Sequence, residues 1–332
     1  MLIPVDLVPP VRPPGDRIIA LTGATMGTTW SVRLVEFPGA DEAVLTAAVE
    51  AELATIIALF SHWDPRSELS RFNAAPAGVW AVSQPFWAFV DEAMDLAGET
   101  RGAVDPTLGA LVDLWGFGPP GPRSADAPLP TDAEIEAALA VSGRWKLRFN
   151  REARAMIQPG GLKLDLSALA KGHAVDCVSD RLVREGAVSH LVEIGGELKG
   201  IGVKPDLQPW WVEIEAAPGD DTPRNLVALC GLAVATSGDY RRAFTHEGRV
   251  YSHTLDSETG RPVDNGVVSA TVLHSRALYA DAYATALTTM GPYRAPDWAE
   301  AWELAARIVE RTPRGLVEHL TPAWRAMMDE PE

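Results

Sequence analysis

ALYADAYATALTTMG occupies residues 277–291, and from Ala277 to Met290 its one charged residue is Asp281. Small side chains fill the rest, so the run predicts a helix packed tightly on several sides. A carboxylate in such a place is costly unless it is paired or holds a metal. Thr285 follows four residues later and falls on the same face, one turn along. A carboxylate and a hydroxyl converging on one point make a hard-oxygen set, suited to Mg²⁺ or Ca²⁺ rather than zinc. The alternative, a buried basic partner for Asp281, stays open on this stretch alone.

Working outward, strands are predicted at 233–236, 250–254 and 268–274, and a final helix near 298–311. Further upstream, strands are predicted at 145–150, 153–158, 190–194 and 210–215, with a helix from Leu169 to Glu185. Thr131 and Glu134 form a T-x-x-E capping box that starts a helix ended near Gly143. Residues 116–130 (GFGPPGPRSADAPLP) read as a surface loop. Pro85–Arg101 and Asp41–Phe60 read as helices, the latter with Val44, Leu45, Val49, Leu53, Ile56, Ile57 and Phe60 on one side. Between them SHWDPRSELSRFN reads as a loop entering a short helix. Arg17–Glu36 predicts two strands meeting at a glycine break, Gly23–Gly27. Residues 1–17 form an irregular Pro-rich arm. Helices and strands mix without strict βαβ alternation, which gives an α+β chain of mixed sheets and packed helices.

The chain has 332 residues, 47% of them hydrophobic, enough for a large core and one or two domains. Lys and Arg total 29 against 45 Asp and Glu, a formal net charge of -16. That balance argues against a nucleic-acid partner and against anionic membranes. Cys177 and Cys230 stand far apart and outside any Cys-x-x-Cys spacing, so neither a disulfide framework nor a zinc knuckle is written here. The N-terminal MLIPVDLVPPVRPPGDR has no basic n-region and no long apolar run. As given, it predicts a cytoplasmic chain with no integral membrane segment, and a periplasmic location follows only from a different start.

Other fragments carry weaker signals. LDLSALAKGHAVD (164–176) places Asp165 at a strand end and Lys171 in the helix that follows, where free N–H groups and a lysine can hold phosphate. A capped helix with a surface lysine is the plainer alternative, and the Walker spacing is absent. EIGGELKGIG (193–202) sets Gly195–Gly196 at a strand end, a mark of tight turning or close approach. In YSHTLDSETGRPV (251–263), His253 is either a core histidine or a base. Trp63, Trp115 and Phe117 could stack on a flat ring or belong to the core. No H-E-x-x-H or G-x-S-x-G occurs.

In order, ATMGTTWSV, SELSRFN, VDPTLGALVDLWGFG, LDLSALAKGHAVD, IGGELKGIG, TSGDYRR, YSHTLDSETGRPV and ADAYATAL resemble the motifs of the ApbE family over roughly residues 20–291. Members of that family are FAD:protein FMN transferases. The resemblance implies an ApbE-like (T-fold-like) architecture in which residues 18–325 form one catalytic unit or two intertwined subdomains. It implies Mg²⁺ held by Asp281, Thr285 and the backbone carbonyl of Ala168. It implies an FAD site lined by Met26, Trp63, Asp64, Asp105, Lys171 and the backbone around Leu255, with His253 and Asp281 as catalytic residues. The implied reaction transfers FMN from FAD to a Thr or Ser hydroxyl of an acceptor redox subunit and releases AMP. The alternatives are an FAD pyrophosphatase giving FMN and AMP, and a flavin-binding protein without catalysis. Many family members carry an export signal and a lipid-modified cysteine near the N-terminus, and here the first cysteine is Cys177.

Overall fold

The computed structural model describes residues 1–5, 11–123, 127–217, 219, 225–239 and 242–328. Parts of the Pro-rich arm (6–10), of the 116–130 loop (124–126) and of the TSGDYRR motif (Tyr240 and Arg241) lie outside the described residues. In chain order the elements are β1 (Ile18–Thr25), β2 (Thr28–Val35), α1 (Glu42–Phe60), α2 (Glu68–Asn73), β3 (Gly78–Ala81), α3 (Gln84–Glu99), α4 (Gly109–Leu114), α5 (Asp132–Val141), β4 (Arg148–Asn150), β5 (Ala155–Gln158) and α6 (Ser167–Glu185). There follow β6 (His190–Ile194), β7 (Glu197–Ile201), β8 (Trp210–Glu213), β9 (Leu226–Leu229), β10 (Leu232–Gly238), β11 (Ala243–His246), β12 (Arg249–Ser252), β13 (Val267–His274), α7 (Ala277–Ala301), β14 (Ala305–Thr312), β15 (Gly315–Leu320) and α8 (Pro322–Met327). Helices and antiparallel sheets are mixed, the α+β class that the sequence implies.

The chain divides into two compact units. The first comprises Met1–Ala54, Leu169–Gly238 and Gly266–Glu332, and the second Thr55–Ala168 and Asp239–Asn265.

Unit one is built on an eight-stranded sheet in the order β1-β2-β6-β7-β10-β13-β14-β15. Every neighbouring pair is antiparallel. Met26 and Gly27 join β1 to β2 with φ of 47° and 73°. Positive φ at both central residues is what a tight hairpin demands. The break expected at Gly23–Gly27 is therefore confined to its last two residues. Gly23 stays in the strand opposite Trp30, where a Cβ would collide with the buried indole. Gly195 and Gly196 turn β6 into β7 in the same way, with φ of 61° and 101°. The helix α7 packs against β10 and β13. A core of Leu2, Trp210, Val227, Leu273, Trp324 and Met327 lies elsewhere in the unit.

Unit two holds α2 to α5, the three-stranded sheet β3-β5-β4 and the hairpin β11-β12. Its core gathers Leu108, Leu111, Trp115, Ile135 and Leu255. The capping box is formed as expected: the Thr131 hydroxyl accepts from the Glu134 N–H, and the Glu134 side chain accepts from the Thr131 N–H.

Several expectations need correction. The helix near 298–311 ends at Ala301, and Ala305–Thr312 is a strand between β13 and β15. Ile308 and Val309 are β-branched and buried, and two flanking strands satisfy their backbone, which outweighs the helical look of the run. The helix from Ala277 runs past Met290 across a kink at Gly291, φ 79°. Residues 144–146 form a 3₁₀ turn, so the strand expected at 145–150 shrinks to Arg148–Asn150. In α1, Leu45, Val49, Leu53, Ile56 and Phe60 are buried, but Val44 is 57% exposed. By length and hydropathy alone α1 could cross a bilayer, yet its buried stripe has the spacing of a core helix. Leu2 is fully buried, and its N–H donates to the Leu226 carbonyl, so the start of the arm is pinned.

Candidate active site

In unit one, four of the expected residues fall on α6, α7 and the first hairpin. Asp281 is 4% exposed on α7, and its Oδ2 accepts the Gly172 N–H of α6 at 3.0 Å. The close approach needs a glycine: a Cβ on Gly172 would stand 2.8 Å from the Asp281 Cβ and inside the Ala277 carbonyl. Thr285, one turn along, meets Ser237 of β10, Oγ to Oγ, at 3.0 Å. The N-terminus of α7 is fixed by Asp176 of α6, which accepts the Ala277 and Leu278 N–H groups, each at 3.1 Å. An anion at free helix N–H groups is favourable, and Lys199 completes the arrangement 2.7 Å from Asp176.

Lys171 precedes Gly172 and pairs with Glu197, whose side chain is 1% exposed. The lysine stem passes over the Gly195 turn, where a Cβ would stand 3.5 Å from its Cδ. Strand register places the Met26–Gly27 turn, the Gly195–Gly196 turn and Ser237–Gly238 at one end of the sheet. Met26, Lys171 and Thr285 thus gather at that end, with Asp281 one turn from Thr285. Glu197 and Ser237 belong to this group, Asp176 stands at the N-terminus of α7, and none of the three is singled out from sequence. Glu197 and Ser237 lie inside recognised motifs, but their partners are distant in the chain.

This group fits a hard cation. The two candidate ligands within it, the Asp281 carboxylate and the Thr285 hydroxyl, are both oxygens, while among the described residues no three His, Cys, Asp or Glu side chains cluster for any metal. The Asp281 carboxylate can only accept or ligate through its oxygens, and Oδ2 takes the Gly172 N–H.

In unit two, the expected residues stand in several local settings. Ala168 is in the first turn of α6. Asp105 is tied into its own loop: Oδ1 accepts the Thr107 N–H at 2.8 Å and Oδ2 the Arg144 N–H at 3.2 Å. Asp64 accepts from Arg66, side chain and backbone, which holds its carboxyl below the usual range. Trp63 is 52% exposed, so its ring is accessible. Trp115, in contrast, is core: it is 2% exposed and its Nε1–H donates to the Gly260 carbonyl at 2.8 Å. Phe117 packs against that core. The Leu255 side chain is buried there too.

His253 is partly exposed, with Nδ1 3.0 Å from the Arg242 carbonyl. A carbonyl can only accept, so Nδ1 carries a proton, and in the neutral ring Nε2 is the basic nitrogen.

A cleft of about 450 Å³ in unit two is lined by His62, Ser70, Asn73, Asp113, Lys163 and Asp165, among others. That volume lies in the range of small-molecule sites. His62 Nδ1 and Asp165 Oδ2 are 3.2 Å apart and almost fully buried. Burial pushes the Asp165 carboxyl up, but the His62 hydrogen bond and charge, with two bonds from Ser167, leave it below the ordinary carboxylate value. Burial likewise pulls His62 down, and Asp165 more than reverses it. His62 was not expected as a site residue, because nothing local marks a histidine that pairs across a hundred residues.

Comparison with known proteins agrees with the motif order. Residues 26–308 match the model of the ApbE family. The chain is 37% identical over 313 residues to an FAD:protein FMN transferase of Vibrio cholerae serotype O1, covering 93% of this chain and 92% of that protein. A protein of the same name from Salmonella typhimurium is 31% identical over 333 residues, 99% of this chain and 94% of the relative. The crystal structure of the Pseudomonas stutzeri flavinyl transferase ApbE superimposes with a TM-score of 0.86 at 38% identity, over 94% of this chain and 97% of that one. The ApbE protein of Thermotoga maritima gives 0.83 at 30% identity, over 95% and 100%.

Proposed function

The chain belongs to the ApbE family and is a flavin transferase, and from that premise we propose that it moves FMN from FAD onto a threonine or serine hydroxyl of a redox subunit, with Mg²⁺ required and AMP released. The observation that carries this reading is the buried carboxylate Asp281 with the Thr285 hydroxyl one turn away, beside the Lys171–Glu197 pair. Asp281 and Thr285 would hold the Mg²⁺. The family resemblance adds the Ala168 carbonyl, whose usual helical donor, the Gly172 N–H, engages Asp281. When bound, Mg²⁺ would neutralise charge on the pyrophosphate oxygens.

The chain's own groups do the rest. Lys171, held by a buried anion, presents a cation in a fixed direction toward phosphate. His253 keeps its Nδ1 proton on the Arg242 carbonyl, so Nε2 takes the proton of the acceptor hydroxyl. The acceptor oxygen bonds to the FMN-side phosphorus, the P–O bond to the AMP portion breaks, and AMP leaves with that oxygen. Exposed Trp63 offers a face on which a flat ring can stack.

The test is transfer itself. The chain is mixed with FAD, Mg²⁺ and a candidate redox-subunit domain, and flavin fluorescence is sought on the denatured acceptor band. The expected result is a fluorescent band that requires Mg²⁺ and weakens about 10²-fold or more in Asp281→Asn. Free FMN and AMP without a labelled band would point instead to water as acceptor. A band equally strong without Mg²⁺ would remove the metal from this reading.

A further inference from the structure

Three threonines punctuate the middle of α7, and they do not behave alike. The Thr288 hydroxyl donates to the Ala284 carbonyl at 2.9 Å, and that of Thr289 to the Thr285 carbonyl at 3.0 Å. This back-bonding to the carbonyl four residues earlier is the ordinary habit of a threonine inside a helix. Thr285 departs from it. Its hydroxyl is turned off the helix to the Ser237 hydroxyl at 3.0 Å, on β10 just before its last residue, Gly238. A hydroxyl bonded to its own helix has its direction set by the helix. One bonded across to a strand has its direction set by that strand.

Resting on the Mg²⁺ reading above, we propose that Ser237 is a positioning residue that orients the Thr285 hydroxyl as a metal ligand. A hydroxyl ligates through an oxygen lone pair, and a cation repels its proton. The proton must therefore point away from the metal, toward an acceptor. Ser237 Oγ, 3.0 Å from the Thr285 oxygen, is placed to accept it. With Ser237 accepting, the Thr285 lone pairs are held toward the side of α7 that carries Asp281. Groups that hold a ligand in this way are worth about 10–100-fold in metal affinity.

β10 and its neighbour β13 contain an internal control. Thr236 and Thr271 are cross-strand partners whose hydroxyls meet at 2.9 Å, both nearly buried. Successive strand residues point to opposite faces, so this pair lies on the face away from Thr285. It has the same chemistry and neighbourhood without the contact to α7.

The experiment measures thermal stabilisation of the full-length protein by Mg²⁺ alone, in titration, alongside the Mg²⁺ concentration for half-maximal FMN transfer. Ser237→Ala is expected to raise both midpoints about 10–100-fold while leaving the melting temperature without Mg²⁺ near that of the wild type. Ser237→Thr, which keeps a hydroxyl, is expected to restore them to within a few fold. Thr271→Val is expected to leave both midpoints unchanged. Ser237→Cys keeps the volume with a poor acceptor, and where alanine disturbs folding it is expected to raise both midpoints in its place. Wild-type Mg²⁺ binding by Ser237→Ala or Ser237→Cys would overturn the proposal alone. A wild-type chain that does not respond to Mg²⁺ would overturn the metal reading, and this proposal with it.

Discussion

At the scale of single residues, the sign of an effect follows from what the side chain touches. Replacing a helical glycine with alanine usually stabilises an exposed helix by about 1 kcal/mol. Gly172→Ala should do the opposite, because the new Cβ would meet the Ala277 carbonyl and the Asp281 Cβ. A loss of about 1–3 kcal/mol in denaturant unfolding is expected, and a gain would mean that α6 and α7 separate easily. His253 makes a different kind of prediction. Its Nδ1 is committed to the Arg242 carbonyl, so its role rests on Nε2. His253→Ala is expected to slow FMN transfer by about 10²–10⁴-fold with little change in FAD affinity, measured separately by fluorescence titration. Full activity in that variant would end its assignment as base. The sequence marks Asp281, Thr285, Lys171 and His253 as candidates because recognisable motifs surround them. Ser237, Glu197 and His62 were not, since each acquires its role from a partner far along the chain.

At the scale of elements, α7 is the part whose placement matters most, and its N-terminus is held from outside. Asp176 of α6 takes two of its free N–H groups and balances the buried Lys199. Removing one partner of a buried ion pair strands the other. Asp176→Ala should therefore cost about 3–5 kcal/mol in unfolding free energy. Asp176→Asn should cost less, because an amide oxygen still accepts the helix N–H groups. Equal, small losses in both would show that Lys199 finds another partner. The strand Ala305–Thr312 likewise owes its form to its neighbours. Its sequence has a helical look, but it sits between β13 and β15, which supply the hydrogen bonds that decide its form.

At the scale of the whole molecule, pH reports on the sheet through His190. This residue is fully buried on β6, and burial pushes its imidazole down to about 4. Its Nδ1 lies 2.8 Å from the Ala187 carbonyl and its Nε2 2.8 Å from the Ser179 hydroxyl, an arrangement that suits the neutral ring. Between pH 6.5 and about 4 the unfolded chain binds the extra proton and the folded chain does not. Stability from this group is therefore present above pH 6.5 and is lost as pH falls toward 4, on the order of 3 kcal/mol in all. Unfolding free energies measured across that window should fall less steeply in His190→Gln, and parallel curves would contradict the assignment. The sequence by itself determined the α+β class, the paired-glycine turn, the capping box, the helix that carries Asp281 and Thr285, and the ordered motifs of the family. All of these rest on local spacing, turn chemistry and periodicity, which a short window contains. Only the tertiary structure decided that Gly172 meets Asp281 across 109 positions, that Ser237 meets Thr285 across 48, that Trp115 belongs to the core and that residues 305–312 are a strand. The reason is physical: a hydrogen bond or a buried face is a property of two surfaces brought together, and one stretch of sequence writes only one of them.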